Sequence, residues 1–118
     1  MSCRTQIGKE VLSSVRAGLS GEMELLWMAE FFQGFSDPTR LKIINGLLLS
    51  ELCVGDLSDL LGMSPPAISH HLFHLKRLRL VGSRREGRHV VYFLADSHIR
   101  QVFELCREHC AEGKGENP

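Results

Sequence analysis

Hydrophobic residues recur at helical spacing along most of the chain and predict a largely helical protein. Residues 5–18 carry apolar side chains every three or four positions, which predicts a first helix. Residues 22–35 are apolar on nearly every side, so this second helix should lie in the core or in a subunit interface. A third helix should begin at Ser36-Asp37-Pro38, because a capping residue followed by proline is typical of a helix start.

The middle of the chain predicts two short helices followed by a hairpin. Residues 54–61 should form a helix that ends in a glycine turn, and Ser64 should cap a second helix that continues to residue 79. Two strands follow, at about 81–85 and 89–94, with a glycine between them. A helix-turn-helix joined to an arginine-rich hairpin is the outline of a winged-helix DNA-binding domain.

These elements predict a fold that is mainly α with a small β-hairpin wing. The helix-turn-helix spans about 54–79, the wing about 81–94, and a last helix about 96–112, with a flexible tail at 113–118. We expect residues 1–118 to form a single domain, because no linker or internal repeat divides them. A core of this size is modest, so a partner subunit would help to stabilise it.

The composition is that of a globular protein. Hydrophobic residues make up 43% of the chain, and the formal net charge is zero. No apolar run approaches the ~20 residues of a membrane span, and the N-terminus lacks the apolar segment of a secretion signal, so we expect a cytoplasmic protein with no membrane partner. The four cysteines do not form paired C-x-x-C motifs, which favours free thiols over a disulfide scaffold.

The zero net charge hides an uneven distribution. Residues 64–93 hold six lysines and arginines against one glutamate, which gives this segment a charge of +5. A basic patch on a helix-turn-helix and its wing is typical of a surface that binds DNA phosphates, whereas serine and histidine can also meet base edges. The candidate DNA contacts are Ser64, Ser69, His70, His74, Arg77, Arg84, Arg85 and Arg88. At least one of the neighbouring histidines on this helix could equally be a packing residue.

Several motifs together resemble the ArsR/SmtB family of metal-sensing repressors, and the resemblance covers about residues 35–112. The motifs are Asp37-Pro38-Thr39-Arg40-Leu41, Glu51 to Ser58, Ser64 with Ala67-Ile68-Ser69-His70-His71-Leu72, Leu80-Val81, and Gly87 to Tyr92. The resemblance implies a homodimer that binds an inverted repeat in double-stranded operator DNA and leaves it when an inducer binds. The chain departs from the pattern at Pro65-Pro66, where the second proline removes a backbone donor at the helix start.

Four residues of metal-ligand type lie near the two ends of the last helix. They are Asp96, His98, His109 and Glu112. At 1.5 Å per residue, His98 and His109 are about 16 Å apart along the helix axis, too far for one ion with bonds of about 2 Å. An antiparallel pair of these helices would bring two ligands from each subunit together and give two sites per dimer. Beside the ligands runs an apolar stripe on which two copies of the helix could pack; it contains Ile99, Val102, Phe103, Cys106 and Cys110.

The ligand pattern is similar to the zinc site of the SmtB branch of the family, and this resemblance implies Zn²⁺ as the inducer. Two histidines with two carboxylates suit tetrahedral zinc; Co²⁺ could use the same ligands, and Ni²⁺ would need more. The resemblance also implies that the homodimer forms through the first and last helices.

Other functions remain possible at this point. A thiol-based sensor of arsenite, cadmium or reactive sulfur could use Cys106 and Cys110, which lie one helical turn apart. The family's C-x-C thiolate site is broken here, because Gly55 stands two residues after Cys53 where the second cysteine would be. A metal-storage role would leave the basic wing unexplained. No catalytic motif is present, so we expect neither an enzyme nor a small organic substrate.

Overall fold

A computed structural model of the chain describes residues 8–116, with side chains as far as residue 113. The chain forms six helices and a three-stranded antiparallel sheet in the order β1-β3-β2 within this part. The elements are α1 (Lys9–Gly18), α2 (Glu22–Gln33), α3 (Pro38–Leu49), β1 (Leu52–Cys53), α4 (Val54–Leu61), α5 (Pro65–Arg77), β2 (Val81–Glu86), β3 (His89–Leu94) and α6 (Ser97–Glu116).

The predicted helix starts are confirmed by their capping contacts. The Asp37 carboxylate accepts a hydrogen bond from the Arg40 backbone N–H at 3.0 Å, and Pro38 occupies the first turn of α3. The Ser64 hydroxyl accepts from the Ala67 N–H at 3.3 Å. Both Pro65 and Pro66 lie in the first turn of α5, where backbone N–H groups lack helical partners in any case, so the double proline is accommodated.

Two tight turns have the geometry that glycine favours. Gly62 ends α4 in the left-handed conformation (φ 66°), and its N–H donates to the Ser58 carbonyl. At the wing tip, Glu86 pairs with His89 across a two-residue turn in which Gly87 has φ 62°. The wing therefore extends one residue further along its first strand than the pattern predicted.

The core lies between α3, α4, α5 and the inner end of the sheet. Its members are Ile43, Ile44, Leu47, Leu57, Ile68, Leu72, Leu75, Leu80, Val81 and Ile99. Three of these, Ile68, Leu72 and Leu75, lie on one side of α5 and are fully buried. Burial of one whole helix face fixes which side of α5 remains outside.

The start of α6 is attached to this core, whereas the rest of the helix is largely exposed. Ile99 is fully buried, and the Arg100 guanidinium donates to the Leu48 carbonyl at 2.6 Å. The Ala95 N–H donates to the Leu80 carbonyl at 2.9 Å, which joins the beginning of α6 to the end of α5. Leu105, two turns further on, is 67% exposed.

The structure differs from the sequence prediction at several boundaries. The short strand β1 was not predicted; it pairs with β3 through Leu52 and Tyr92. The prediction that α2 continues to residue 35 is wrong, since the helix ends at Gln33. The prediction that α5 continues to residue 79 is also wrong, because the helix ends at Arg77 and Arg79 has a positive φ. The prediction of an irregular tail from residue 113 is also wrong as far as residue 116, because α6 continues to Glu116. The predicted start of α1 at residues 5–7 and the tail residues 117–118 lie outside the described residues.

The first two helices bury none of their residues within the chain. Between residues 8 and 37, ten large apolar side chains lie on the surface, and those within α1 and α2 are 45% to 63% exposed. Of the two locations predicted for α2, the core of a single chain is therefore wrong. Within residues 8–116, no helix is both long enough and apolar enough to cross a membrane.

Candidate nucleic-acid interface and metal site

The outward side of α5 carries four exposed side chains at helical spacing. They are Ser69, His70, Phe73 and Arg77, and we call this set the outward α5 surface. Ser64, at the helix start, is exposed as well. The core contacts on the opposite side hold the helix so that these groups point away from the protein.

His74 lies at the edge of the outward α5 surface and is half-buried. Its Nε2 atom is 3.2 Å from Nε2 of His70, one turn earlier. Desolvation lowers the pKa of His74 first of all, and the nearby charges of His70, Arg40 and Arg77 lower it further. His74 is therefore a poor cation at neutral pH, and its contribution to DNA binding would come from hydrogen bonding instead of charge.

His71 is the packing histidine that the pattern allowed. Its ring is half-buried, and its Nδ1 atom is buried without a hydrogen-bond partner in the described part of the chain. Phe73, by contrast, is 59% exposed at a position between Ser69 and Arg77 on the same helix side. Phe73 was not among the predicted DNA contacts, whereas His74, which was, is the more buried of the two.

The wing presents three exposed arginines whose surroundings differ. The Arg84 guanidinium forms ion pairs with Glu51 and with Glu86, the latter at 2.6 Å, and these hydrogen bonds raise its pKa. Arg85 and Arg88 form no ion pair with any of the described residues. Two of the three predicted wing contacts are therefore available to phosphates, whereas the charge of Arg84 is already balanced within the protein.

Lys76 and Arg79 belong to the same basic region but were not among the predicted DNA contacts. The Lys76 ammonium donates to the Ser83 hydroxyl at 2.6 Å, which links α5 to the first wing strand. Arg79, just after α5, has a positive φ of 64° and lines two cavities to which α2 also contributes side chains. In the sequence both residues are marked only by the cluster of basic residues. That cluster does not show which lysines and arginines form hydrogen bonds within the protein.

One half of the predicted metal set comes together at the start of α6. The Asp96 carboxylate accepts a hydrogen bond from the His98 backbone N–H at 2.8 Å, and the same oxygen is 3.1 Å from Nδ1 of the His98 ring. Both side chains are more than half exposed. Asp96 therefore caps α6 and holds the His98 ring next to it, with Nε2 of His98 left outside this contact.

The other half of the set lies far along the same helix. His109 and Glu112 are exposed, three turns beyond His98. Among the described residues, no three histidine, cysteine or carboxylate side chains gather closely enough to hold a metal ion. A single chain thus brings Asp96 to His98 and leaves His109 and Glu112 apart from them, which agrees with the helix arithmetic.

The predicted apolar stripe of α6 divides into two parts. Ile99 belongs to the core of its own chain, and Phe103 packs against that core. Cys106 and Cys110 are exposed, and the hydrogen bond between these thiols raises the pKa of Cys106. A raised pKa keeps the thiol protonated at neutral pH and so reduces its reactivity as a thiolate. Cys53 donates to the Asp56 carboxylate at 3.2 Å, and Cys3 lies outside the described residues.

Helices α4 and α5, the turn between them and the paired wing strands define a winged helix-turn-helix DNA-binding domain. The second helix of this motif, α5, is the recognition helix. A sequence profile described as "Bacterial regulatory protein, arsR family" matches residues 37–83. The chain is 44% identical over 85 residues to a transcriptional repressor SmtB homolog of Synechocystis sp.. The match covers 72% of this chain and 64% of that protein, so this chain spans just under two thirds of the relative's length. It is 41% identical to a cadmium resistance regulatory protein CadC homolog of Staphylococcus aureus, over 72% of this chain and 71% of that protein.

A solved structure supports the same assignment. The homodimeric winged helix-turn-helix domain of a possible ArsR-family regulator from Mycobacterium bovis superposes with a TM-score of 0.76 at 27% identity, covering 86% of this chain and 95% of that one. The chain belongs to the ArsR family of transcriptional regulators. The members of this family named here are DNA-binding transcriptional regulators and not enzymes.

Proposed function

We propose that this chain is a metal-responsive transcriptional repressor that binds operator DNA as a homodimer and is released when zinc binds. The observation that carries the metal part of the proposal is the division of the ligand set on α6. Asp96 and His98 are already in contact, whereas His109 and Glu112 are unable to reach them within one chain. Two carboxylates and two imidazoles suit tetrahedral zinc, and Co²⁺ fits the same donors.

The exposed apolar surface supports the homodimer. Apart from Phe31, which packs against the core, most large apolar side chains of α1 and α2 are exposed, as is Leu105 of α6. Large exposed apolar patches mark surfaces that bind another protein. Antiparallel packing of two α6 helices about a two-fold axis would cover part of this surface. The same axis would place Asp96 and His98 of one chain near His109 and Glu112 of the other.

The DNA part of the proposal rests on the side of α5 that the core leaves outside. In a dimer, two such helices would enter successive major grooves on one face of the DNA, so the operator should be an inverted repeat with half-sites about one helical turn apart. Ser69 and His70 would meet base edges, with Arg77, Arg85 and Arg88 on phosphates. Affinity for DNA should fall steeply as salt increases.

The contacts between α5 and α6 suggest how the two sites communicate. The Leu80 carbonyl accepts from Ala95, one residue before Asp96, and Arg79 lines the same groove as Asp96 and His98. A ligating histidine usually donates its second ring N–H to an oxygen, and for His109 of the opposite chain the carbonyls near Arg79 are candidates. Ligation would thus fix the end of α5 relative to the two-fold axis. By linkage, zinc lowers DNA affinity by the factor by which DNA lowers zinc affinity.

A mixing experiment tests the shared site. The Asp96→Ala/His98→Ala protein and the His109→Ala/Glu112→Ala protein should each bind no zinc at α6. A heterodimer of the two should bind one ion, because one of its two sites keeps all four ligands. Zinc stoichiometry by equilibrium dialysis, with the parent dimer at two ions as reference, measures this directly. Mixed dimers that bind no metal would refute the arrangement across subunits.

A thiol sensor is the second candidate, favoured by the exposed, adjacent thiols of Cys106 and Cys110. It would take arsenite, cadmium or a reactive sulfur species in place of zinc. Release of DNA by cadmium in a Cys106→Ser/Cys110→Ser variant separates the two: the zinc site predicts an unchanged response, and the thiol site predicts its loss.

A further inference from the structure

The pair formed by His70 and His74 has no role in the α6 site. The two residues are four apart on α5, so they lie on the same side of the helix one turn from each other. Their rings stand nearly perpendicular, at 85°, with centroids 4.5 Å apart. The two Nε2 atoms are 3.2 Å apart and form a hydrogen bond in which either ring can be the donor. A metal ion bound by both nitrogens would take the place of the shared proton. His70 is exposed and His74 is half-buried, so the space around the two nitrogens is open to solvent.

This separation matches that of two ligands on one metal ion. With imidazole–metal bonds of 2.0–2.1 Å, two nitrogens lie about 3.3 Å apart at a tetrahedral angle and about 2.9 Å apart at a right angle. The observed 3.2 Å falls between these values. Two histidines at i and i+4 on a helix are also the spacing by which helical zinc motifs present two ligands from one face.

We propose that His70 and His74 form a second metal site, on the recognition helix, for a borderline divalent cation such as Ni²⁺, Cu²⁺ or Zn²⁺. Neutral imidazole nitrogens are the ligands that these ions share. Among the described residues no third histidine, cysteine or carboxylate completes the set, so water fills the remaining positions. Arg40 and Arg77 lie close enough to act on His74 electrostatically, and their charges weaken the binding of a dication. The site is therefore open and exchangeable.

The position of the pair links this metal to DNA. His70 belongs to the outward α5 surface, and an ion held by its Nε2 atom takes the group that is proposed to meet the DNA. Metal at the pair and DNA at α5 thus compete for one imidazole, and each lowers the affinity for the other by the same factor. This consequence rests on the proposed role of α5 in DNA binding, whereas metal binding by the pair itself does not.

The test uses the full chain with His98→Ala and His109→Ala, which removes the histidines of the α6 site. Titration with Ni²⁺ by isothermal calorimetry should show an ion bound through the pair. Adding His70→Ala or His74→Ala should weaken that binding at least about tenfold, since each removes one of two protein ligands. His89→Ala is the matched control: it removes an exposed wing histidine outside the pair and should leave the titration unchanged. Circular dichroism verifies that each variant is folded.

A second measurement keeps the result independent of affinity changes caused by altered packing. Substoichiometric Cu²⁺ should broaden the imidazole resonances of His70 and His74 before that of His71, whose ring packs inward. Equal Ni²⁺ binding by the parent, the His70→Ala and the His74→Ala proteins would overturn the proposal, as would broadening that begins at His71 or His89. Because the α6 histidines are absent throughout, neither outcome depends on the zinc site proposed above.

Discussion

The two helices that carry candidate function, α5 and α6, differ in how much of their environment one chain supplies. α5 buries a complete face made of Ile68, Leu72 and Leu75, and its outward side follows from that burial. α6 is fixed by Ile99 and Arg100 at its start and projects exposed side chains over the turns beyond. Histidines on α5 meet within one turn, whereas those on α6 are separated along the axis. The comparison indicates that one chain is enough to hold α5 in place, whereas the two halves of the proposed metal site on α6 do not meet within one chain.

The largest effect should come from breaking the α5 face. Leu72→Ala removes a fully buried side chain and leaves a cavity, so we expect a loss of about 2–5 kcal/mol in the free energy of unfolding. Urea denaturation measures it at matched protein concentration, because the stability of the proposed dimer would depend on concentration. Leu105→Ala is the matched control on α6 for removal of the same side chain. A Leu105 variant that unfolds as easily as the Leu72 variant would show that the single-chain core is not the main source of stability.

A charge on the exposed part of α6 should break the assembly and leave the fold intact. Leu105 is exposed in a single chain, so Leu105→Glu costs little there, but a buried unpaired carboxylate in an interface is expensive. We expect the dimer dissociation constant to rise at least about tenfold, which corresponds to about 1.4 kcal/mol. Sedimentation equilibrium gives this value, with Glu104→Gln as a control for altered charge at the neighbouring position. An unchanged dimer would place the subunit interface elsewhere.

The same contrast explains what the sequence could predict. Caps at Asp37 and Ser64 and the glycine turn at Gly62 act over three or four residues, so local chemistry fixed those boundaries correctly. The strand β1 is only two residues long and exists through pairing with Tyr92, forty residues later, which no local pattern reveals. The partial neutralisation of Arg84 likewise depends on Glu51, 33 residues away.

The candidate sites follow the same rule. Exposure of Ser69, His70 and Arg77 could be predicted from helical periodicity, because the apolar positions of α5 define the opposite side. The periodicity of α6 suggested a continuous apolar stripe, but Ile99 is claimed by the core of its own chain and Cys106 is not. Whether a stripe faces its own chain or a partner depends on tertiary packing at each position.

The wing arginines offer a finer test of the DNA face. Arg85→Ala or Arg88→Ala should weaken binding to every duplex and reduce the slope of log affinity against log salt by about 1. Arg84→Ala should reduce the slope less, because Glu51 and Glu86 already hold that guanidinium. Fluorescence anisotropy over a range of salt concentrations measures all three. Equal slopes for the Arg84 and Arg85 variants would mean that the ion pairs open on binding.

The smallest expected effect on stability comes from a substitution at Arg79, in the turn that ends α5 beside the start of α6. The Arg79 N–H donates to the Lys76 carbonyl and the Leu80 N–H to the Leu75 carbonyl, which is the Schellman pattern with Arg79 at the left-handed position. The left-handed conformation destabilises the folded state by roughly 1–2 kcal/mol when the residue is not glycine. Glycine removes this cost, but its greater freedom in the unfolded chain cancels about 0.5–1 kcal/mol of the gain. Arg79→Gly should therefore stabilise the protein by about 0.5–1 kcal/mol. Thermal and urea unfolding measure the gain. Arg79→Ala removes the side chain but keeps the strained backbone, so it should show none of the gain. If the alanine variant is as stable as the glycine variant, relief comes from loss of the arginine side chain beside the neighbouring cations and not from the backbone.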